Sequence, residues 1–263
     1  MPELIIFTDL DGTLLDHHTY SFEPARETLS RIQALGIPLI INSSKTRAEI
    51  IPFLDQLGVK QPFICENGAA VYFPSEHGWI CEAFSMDRKL ILQNLSKIKY
   101  NKEYHFSGFS DWSLKDIADK TGLDKSSAER AAQREFSEPL LWEDSDQAKL
   151  TFLEELADHQ MTAAQGGRFL TITGITDKAH AMLWLADKLG RKAGTKLVAL
   201  GDSPNDAEML GAADIAVVIK SKRSSEIEVE GPARVIRTEA WGPEGWAESM
   251  NAILNDMTNT KAH

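Results

Sequence analysis

Two short acidic strings in this chain have the residue types and spacing to do chemistry. The first, Asp9-Leu10-Asp11-Gly12-Thr13, directly follows the apolar run Leu4 to Thr8. Residues two apart on an extended backbone project to the same side, so Asp9 and Asp11 can face one pocket. Two carboxylates in one pocket are costly unless a cation neutralises them or they divide the roles of nucleophile and acid. The second string, Gly201-Asp202-Ser203-Pro204-Asn205-Asp206, also follows an apolar run, Lys196 to Leu200. There Asp202 can add a hard oxygen ligand and Asp206 can hold a metal-bound water. An all-oxygen set that keeps several waters suits Mg2+ better than softer metals. Taken singly, either string also fits an acidic turn that ends a strand or caps the next helix. Two of them at strand ends reinforce each other.

Hydroxyl and cationic partners lie elsewhere. Ser43 or Ser44, after the run Ile37 to Ile41, offers a hydroxyl and a backbone N–H to a phosphoryl oxygen. Ser43 is preferred because it falls where the strand should end, one residue of register from Ser44. Lys45 and Arg47 follow at a helix entrance, where the free amides favour anions; the same residues fit plain N-cap chemistry. Lys178 opens a helix after Gly174-Ile175-Thr176-Asp177 and could neutralise both a nucleophile and a phosphate. A lone lysine there is ordinarily solvated, so its role needs the other partners. His105, His159 and His180 have no ligand spacing with one another and are assigned no chemistry.

The elements that must position these residues alternate between strand and helix at both ends of the chain. Leu4 to Thr8, Ile37 to Ile41, Lys196 to Leu200 and Ile215 to Ile219 are continuous apolar runs, the pattern of parallel strands buried on both faces. Pro62 to Cys65 and Ala69 to Phe73 read as further strands around an Asn67-Gly68 turn, and Val235 to Arg237 as one more. Helices are expected from Pro24 to a stop at Gly36, from the Thr46/Glu49 capping box towards Gly58, over Lys178 to Leu189, and from Ala207. Pro52 should kink the second of these or delay its start. This rhythm predicts a doubly wound α/β sheet with sites at the carboxyl ends of its strands.

The middle is more polar and loses the rhythm. Amphipathic helices are expected at Met86–Lys97, Ser113–Thr121, Ser126–Arg134 and Ala148–His159, with extended pieces at Lys102–Phe109 and Leu140–Glu143. The organisation expected is a Rossmann-like core over residues 1–83 and 168–263, interrupted by an α+β insertion over 84–167. Trp241 to Trp246 read most simply as a packed C-terminal loop, with site-lining an alternative, and the tail after Asn255 as frayed.

Composition narrows the function. The 263 residues carry 39 acidic against 28 basic side chains, a formal charge of −11. A field of that sign disfavours general binding to nucleic acid or to an anionic membrane surface, yet leaves room for one small anionic ligand in a local site. Cys65 and Cys81 form neither a metal cluster nor a disulfide framework and read as buried thiols of a reducing compartment. With no signal-peptide pattern and no apolar span, a soluble, cytoplasmic protein is expected, as a monomer or small homo-oligomer.

In chain order, Asp-x-Asp-Gly-Thr, a strand-end serine, a lysine and Gly-Asp-x-x-Asn-Asp resemble the haloacid dehalogenase (HAD) superfamily of phosphohydrolases over residues 9 to 206. The large insertion between the serine and lysine resembles members with an α+β cap in that slot. More narrowly, Ser43 to Glu49, Glu66-Asn67-Gly68, Gly166-Gly167-Arg168-Phe169 and Gly242-Pro243-Glu244-Gly245-Trp246 look like the mannosyl-3-phosphoglycerate phosphatase family. The resemblance implies that Asp9 attacks phosphorus to give an aspartyl-phosphate, and that Asp11 protonates the leaving oxygen and then activates water. It implies Mg2+ held by Asp9, the Asp11 backbone carbonyl and Asp202, with Asp206 in support. Ser43 and Lys178 would neutralise charge on the phosphoryl group.

The implied substrate contacts are Ser44, Lys45, Thr46, Arg47, Asn67, Arg168 and Asn205. Arg168 either clamps an anionic group of the substrate or serves as an arginine in a Gly-rich hinge. Trp142, Asp144 and Asp146 either meet sugar hydroxyls or form a solvated acidic turn. The leading expectation is a Mg2+-dependent phosphatase acting on mannosyl- or glucosyl-3-phosphoglycerate. A phosphomannomutase-like phosphotransferase and a non-catalytic sugar-phosphate sensor are the alternatives; a sensor has no need of both nucleophile and acid.

Overall fold

The computed structural model describes residues 3–260. Its elements begin with β1 (Leu4–Thr8), α1 (Arg26–Ala34), β2 (Leu39–Ile41), α2 (Arg47–Leu57), β3 (Phe63–Cys65), β4 (Ala70–Ser75) and β5 (Gly78–Ala83). Then come α3 (Arg88–Lys102), β6 (Phe106–Gly108), α4 (Leu114–Thr121), α5 (Lys125–Ala131), β7 (Ser137–Trp142), α6 (Asp146–Asp158), β8 (Met161–Gly166) and β9 (Phe169–Gly174). The last are α7 (Lys178–Lys188), β10 (Lys196–Gly201), α8 (Ala207–Gly211), β11 (Ile215–Lys220), β12 (Arg234–Trp241) and α9 (Gly242–Thr260). They form two compact units. The core unit joins the residues up to Ser43 with those from Lys178 onward, and the continuous stretch Ser44–Asp177 is the insert unit.

The core unit is built on a five-stranded, all-parallel sheet in the order β12-β11-β10-β1-β2. Interior strand β1 pairs Thr8 with Leu200 on one side and with Ile41 on the other. All five of its residues are buried, which is why its sequence is unbroken rather than alternating. The strand expected from Ile37 starts at Leu39, and a 3-10 turn over Glu23–Ala25 precedes α1, which begins at Arg26.

The C-terminal segment departs most from the sequence expectation. The stretch from Gly242 to Trp246 is the first turn of α9, not a loop, and the helix continues to Thr260. Trp246, Met250, Ile253 and Leu254 are buried at i, i+4, i+7 and i+8, the spacing of one helix face. The two glycines and the proline disguise the start, although proline in a first turn loses only an N–H that has no intrahelical acceptor.

The sheets of the insert unit are antiparallel. Here α2 starts at Arg47 with both halves of the Thr46/Glu49 capping box formed and ends at left-handed Gly58, so Pro52 does not delay its start. Strand β3, expected among the core strands, instead pairs antiparallel with β4 in a β3-β4-β5 sheet. The short Glu66–Gly68 turn, with Asn67 at φ 61° and Gly68 at φ 90°, returns the chain directly onto β3. Exposed β5 carries little apolar pattern, so the sequence does not announce it. It also holds Cys81, which is exposed; only Cys65 matches the expected buried thiol.

The second sheet runs β6-β7-β9-β8. Ile91, Leu95 and Ile98 of α3, with Phe152 and Leu156 of α6, pack with Leu140, Leu170 and Ile172. Phe169, the neighbour of Leu170, joins a different cluster with Ile117, Ala128 and Ala131 of α4 and α5, as period-two alternation requires. No helix among the described residues is long and apolar enough to cross a membrane.

Glu66 ties the two sheets of the insert together. Its buried carboxylate accepts from the Glu135 amide (2.9 Å), the Phe136 amide (3.1 Å) and the Ser137 hydroxyl. Glu66→Ala strands all three donors, and should lower unfolding stability by about 2–4 kcal/mol. Urea denaturation reads this directly; a wild-type midpoint would contradict it.

Candidate active site

The core unit brings Asp9, Lys178, Asp202 and Asp206 together at the carboxyl ends of β1 and β10. Asp9 leaves β1 with its amide donating to Leu200 O (2.9 Å). The chain then turns sharply: Gly12 lies at φ 78°, and the amides of Thr13 and Leu15 both return to Leu10 O. Glycine is needed at position 12 twice over, since a Cβ there would also lie 2.6 Å from Asp202 Oδ2. Thr13 Oγ1 donates to Asp202 Oδ1 (3.3 Å).

A similar closeness shapes the second string. A Cβ on Gly201 would lie 2.4 Å from Asp206 Cβ, so only glycine lets Asp206 fold back under the turn. Asp206 Oδ2 accepts from the Asp202 and Ser203 amides (3.1 Å each). Its Oδ1 accepts from Lys178 Nζ at 2.7 Å, and Nζ donates at 2.7 Å to Asp9 Oδ1 as well. Lys178 is thus a buried structural cation, not a solvated one. Its backbone is fixed by Asn42, whose Nδ2 donates to Lys178 O (3.0 Å) while its own amide bonds Thr8 O. Sequence reasoning missed Asn42, although it immediately precedes the serine singled out at the end of β2. Ser43 is itself buried at that end.

The electrostatics follow from burial. Burial raises the Asp9 carboxyl to about 7, against the pull of Lys178 and with help from Asp206 and Asp11. Burial likewise raises Asp202 to about 8, reinforced by Asp9 and Asp206. Burial acts to lower Lys178, but Asp206 and Asp9 more than reverse this and the ammonium stays charged. One ammonium cannot neutralise three ionised carboxylates in so small a space. Asp9, Asp202 and Asp206 each offer an oxygen, all within 4.8 Å of one another. A cluster of hard oxygen donors with excess negative charge can bind a metal ion, and its chemistry fits a hard divalent cation.

The remaining candidate residues have local partners. In the core unit, the Asn205 side chain accepts from the Ser203 hydroxyl. The others belong to the insert unit. The Ser44 carbonyl accepts from Arg134 Nη1 (3.2 Å), and Lys45 Nζ lies 3.6 Å from Glu49. Thr46 caps α2 and donates its hydroxyl to Arg130 O (3.0 Å). Arg47 pairs with Glu135 (2.9 Å) and lies over the Tyr72 ring. Asn67 occupies the left-handed position of the β3–β4 turn, and Arg168 is exposed at the tip of the β8–β9 hairpin. Both β8 and β9 lie in the insert unit, so Arg168 is in a hairpin turn and not in a hinge between units. Trp142 packs against Phe152 at 4.9 Å between ring centroids, Asp144 accepts from the Ser145 and His105 amides, and Asp146 sits in the first turn of α6.

The shifted carboxyls set the pH response of the metal-free protein. A carboxyl raised in the folded state favours folding below its unfolded value near 4, and that contribution is lost as pH rises through the folded value. Asp202→Asn imitates the protonated form. In chelator, this variant should melt above wild type at pH 5.5 and further above it at pH 9. A melting difference that does not grow between the two would contradict the assignment.

Residues 6–227 match the family of haloacid dehalogenase-like hydrolases. The chain is 36% identical over 271 aligned positions to a glucosyl-3-phosphoglycerate/mannosyl-3-phosphoglycerate phosphatase from Persephonella marina, covering 97% of this chain and 98% of that one. Among solved structures, it superposes with a TM-score of 0.70 on a HAD-superfamily phosphatase from Bacteroides thetaiotaomicron, at 17% identity over 96% of this chain and 95% of that one. It superposes with a TM-score of 0.67 on a haloacid dehalogenase-like hydrolase from B. subtilis, at 20% identity over 95% and 99%. Two strand-end acidic turns sharing one buried lysine on a parallel sheet, matched over most of the sequence, place the chain in the haloacid dehalogenase-like hydrolase family.

Proposed function

We propose that this hydrolase is a Mg2+-dependent phosphatase that releases phosphate from a glycosyl-3-phosphoglycerate, with mannosyl-3-phosphoglycerate as the leading substrate and the glucosyl analogue next. One observation carries the chemical part: the Lys178 ammonium lies at 2.7 Å from Asp9, in the turn cluster that also holds Asp202. The substrate part is supported by the 36% identity to the Persephonella marina enzyme across nearly the whole chain.

On this reading Asp9 attacks phosphorus, and the bond from phosphorus to the glycerate oxygen breaks. Asp11 gives its proton to the departing oxygen. Its carboxylate then takes a proton from water, which attacks phosphorus, frees phosphate and regenerates Asp9. Lys178 favours the ionised form of Asp9 and orients it, and with Ser43 neutralises charge on the transferring group. Asp9, the Asp11 backbone carbonyl and Asp202 would hold the metal, which when bound compensates the clustered carboxylates and draws charge from the phosphoryl oxygens. Asp206, with one oxygen on Lys178 and the other on two amides, would support the metal by holding Lys178 and the Asp202 turn in place. Ser44, Lys45, Thr46, Arg47, Asn67, Arg168 and Asn205 are proposed to read the substrate's anionic and hydroxyl groups. A small phosphorylated metabolite is the partner, turned over in the cytoplasm.

Asp9→Asn should cut kcat by about 10⁴-fold or more with the melting transition intact. Excess EDTA should silence the wild type and Mg2+ restore it; full turnover in EDTA would remove the metal from the account. A phosphate-release screen over hexose phosphates, phosphoglycerates and glycosyl-3-phosphoglycerates should place the last class first. Preference for simple hexose phosphates would overturn the substrate, and stimulation by a sugar bisphosphate with transfer to sugar would favour a mutase.

A further inference from the structure

The reaction as written leaves one buried hydrogen-bond relay unused. Trp246 is fully buried in the first turn of α9, and its Nε1–H donates to Thr8 Oγ1 at 3.0 Å. Thr8 is also fully buried, and its hydroxyl donates to the backbone carbonyl of Asp9 at 2.8 Å. The direction of this relay is fixed by donor inventory. An indole N–H can only donate, so Thr8 Oγ1 must accept from it and has its single hydrogen left for Asp9 O. The main chain of Thr8 is held independently, with its carbonyl accepting from the Asn42 amide at 2.9 Å.

The segment Gly242-Pro243-Glu244-Gly245-Trp246 is shaped to deliver this indole. A Cβ on Gly245 would lie 2.4 Å from Ala240 O and 2.7 Å from Thr238 Oγ1, so glycine allows the first turn of α9 to press onto the end of β12. Gly242 takes φ 48° where the chain leaves that strand. The indole is the bulkiest fully buried side chain among the described residues, so it fills space as well as donating a hydrogen bond. What phenylalanine cannot supply is the donor that orients Thr8.

We propose that Trp246 and Thr8 are positioning residues for Asp9: the indole orients the Thr8 hydroxyl, which pins the Asp9 carbonyl and so fixes the direction in which the carboxylate leaves the end of β1. This rests on the reading of Asp9 as nucleophile. A small rotation of the Asp9 peptide plane would move the attacking oxygen relative to phosphorus and to Lys178 without removing any group that binds the phosphate. The relay should therefore govern turnover more than affinity.

The test uses the Mg2+-loaded full chain with p-nitrophenyl phosphate as probe. Thr8→Val keeps the shape and deletes the relay; kcat should fall about 10- to 100-fold with KM little changed. Thr8→Ser restores the hydroxyl and should recover most of the lost kcat. Trp246→Phe should lose kcat in the same sense, and the double variant should fall no further than Thr8→Val alone. The proposal is overturned if folded Thr8→Val keeps wild-type kcat, if Thr8→Ser gives no recovery, or if the two losses multiply. Asp9→Asn separates the two claims. Retained turnover in that variant removes Asp9 as nucleophile, whereas an inactive Asp9→Asn beside an unaffected Thr8→Val removes only the positioning role.

Discussion

A single buried ammonium organises the core unit. Lys178 has almost no exposed surface, and its charge is tolerable only because Asp9 and Asp206 each accept from it at 2.7 Å. These carboxylates come from turns after two neighbouring parallel strands, and the lysine from the first residue of α7. Removing the lysine leaves both carboxylates buried without their cation. The same constraint accounts for the glycines. Gly12 and Gly201 lie where a single added carbon would strike Asp202 or Asp206, so the turns approach as closely as the charges require. Even so, three clustered carboxylates exceed one ammonium, and the raised Asp9 and Asp202 carboxyls express that excess. A hard divalent cation would remove it.

The core strands were legible because burial on both faces writes itself as an unbroken apolar run. Leu4 to Thr8 is buried throughout, and so is Leu197 to Leu200, with only Lys196 exposed at the start of that strand. The capping box at Thr46 and the stop at Gly58 were equally plain, since both are local chemistry. Sheet membership was not. Phe63 to Cys65 reads as another buried parallel strand, and only pairing with β4 across a short turn shows otherwise. Strands β5 and β8 lack the alternation or β-branched density that announces a strand, whereas Leu170-Thr171-Ile172-Thr173 of β9 carries both and was passed over. Helix α9 was hidden behind Gly-Pro-Glu-Gly, although Trp246, Met250, Ile253 and Leu254 carry its period.

The site divides the same way. Asp9, Asp202, Asp206 and Lys178 could be named in advance because charged residues after apolar runs stand out. Asn42, Thr8 and Trp246 could not, because each is tied by a side-chain hydrogen bond to a residue distant in sequence. Their residue types are also at home in any core. For Ser44, Lys45, Thr46 and Arg47 the helix-entrance chemistry is realised in the structure, with Thr46 capping α2 and Arg47 paired to Glu135. The net charge of −11 also takes on a local meaning, since part of it is concentrated where a cation and a phosphate would offset it.

The central claim is that Asp9 carries the phosphoryl group. Its most direct test is a rapid-quench experiment on Asp11→Asn with p-nitrophenyl phosphate, a substrate whose leaving group needs no proton. The account predicts a burst of p-nitrophenol equal to the enzyme sites, slow later turnover, and a phosphoryl group on the peptide at Asp9 by mass spectrometry. A burst with the phosphoryl group on another residue, or steady turnover with no burst and no modified peptide, would contradict it.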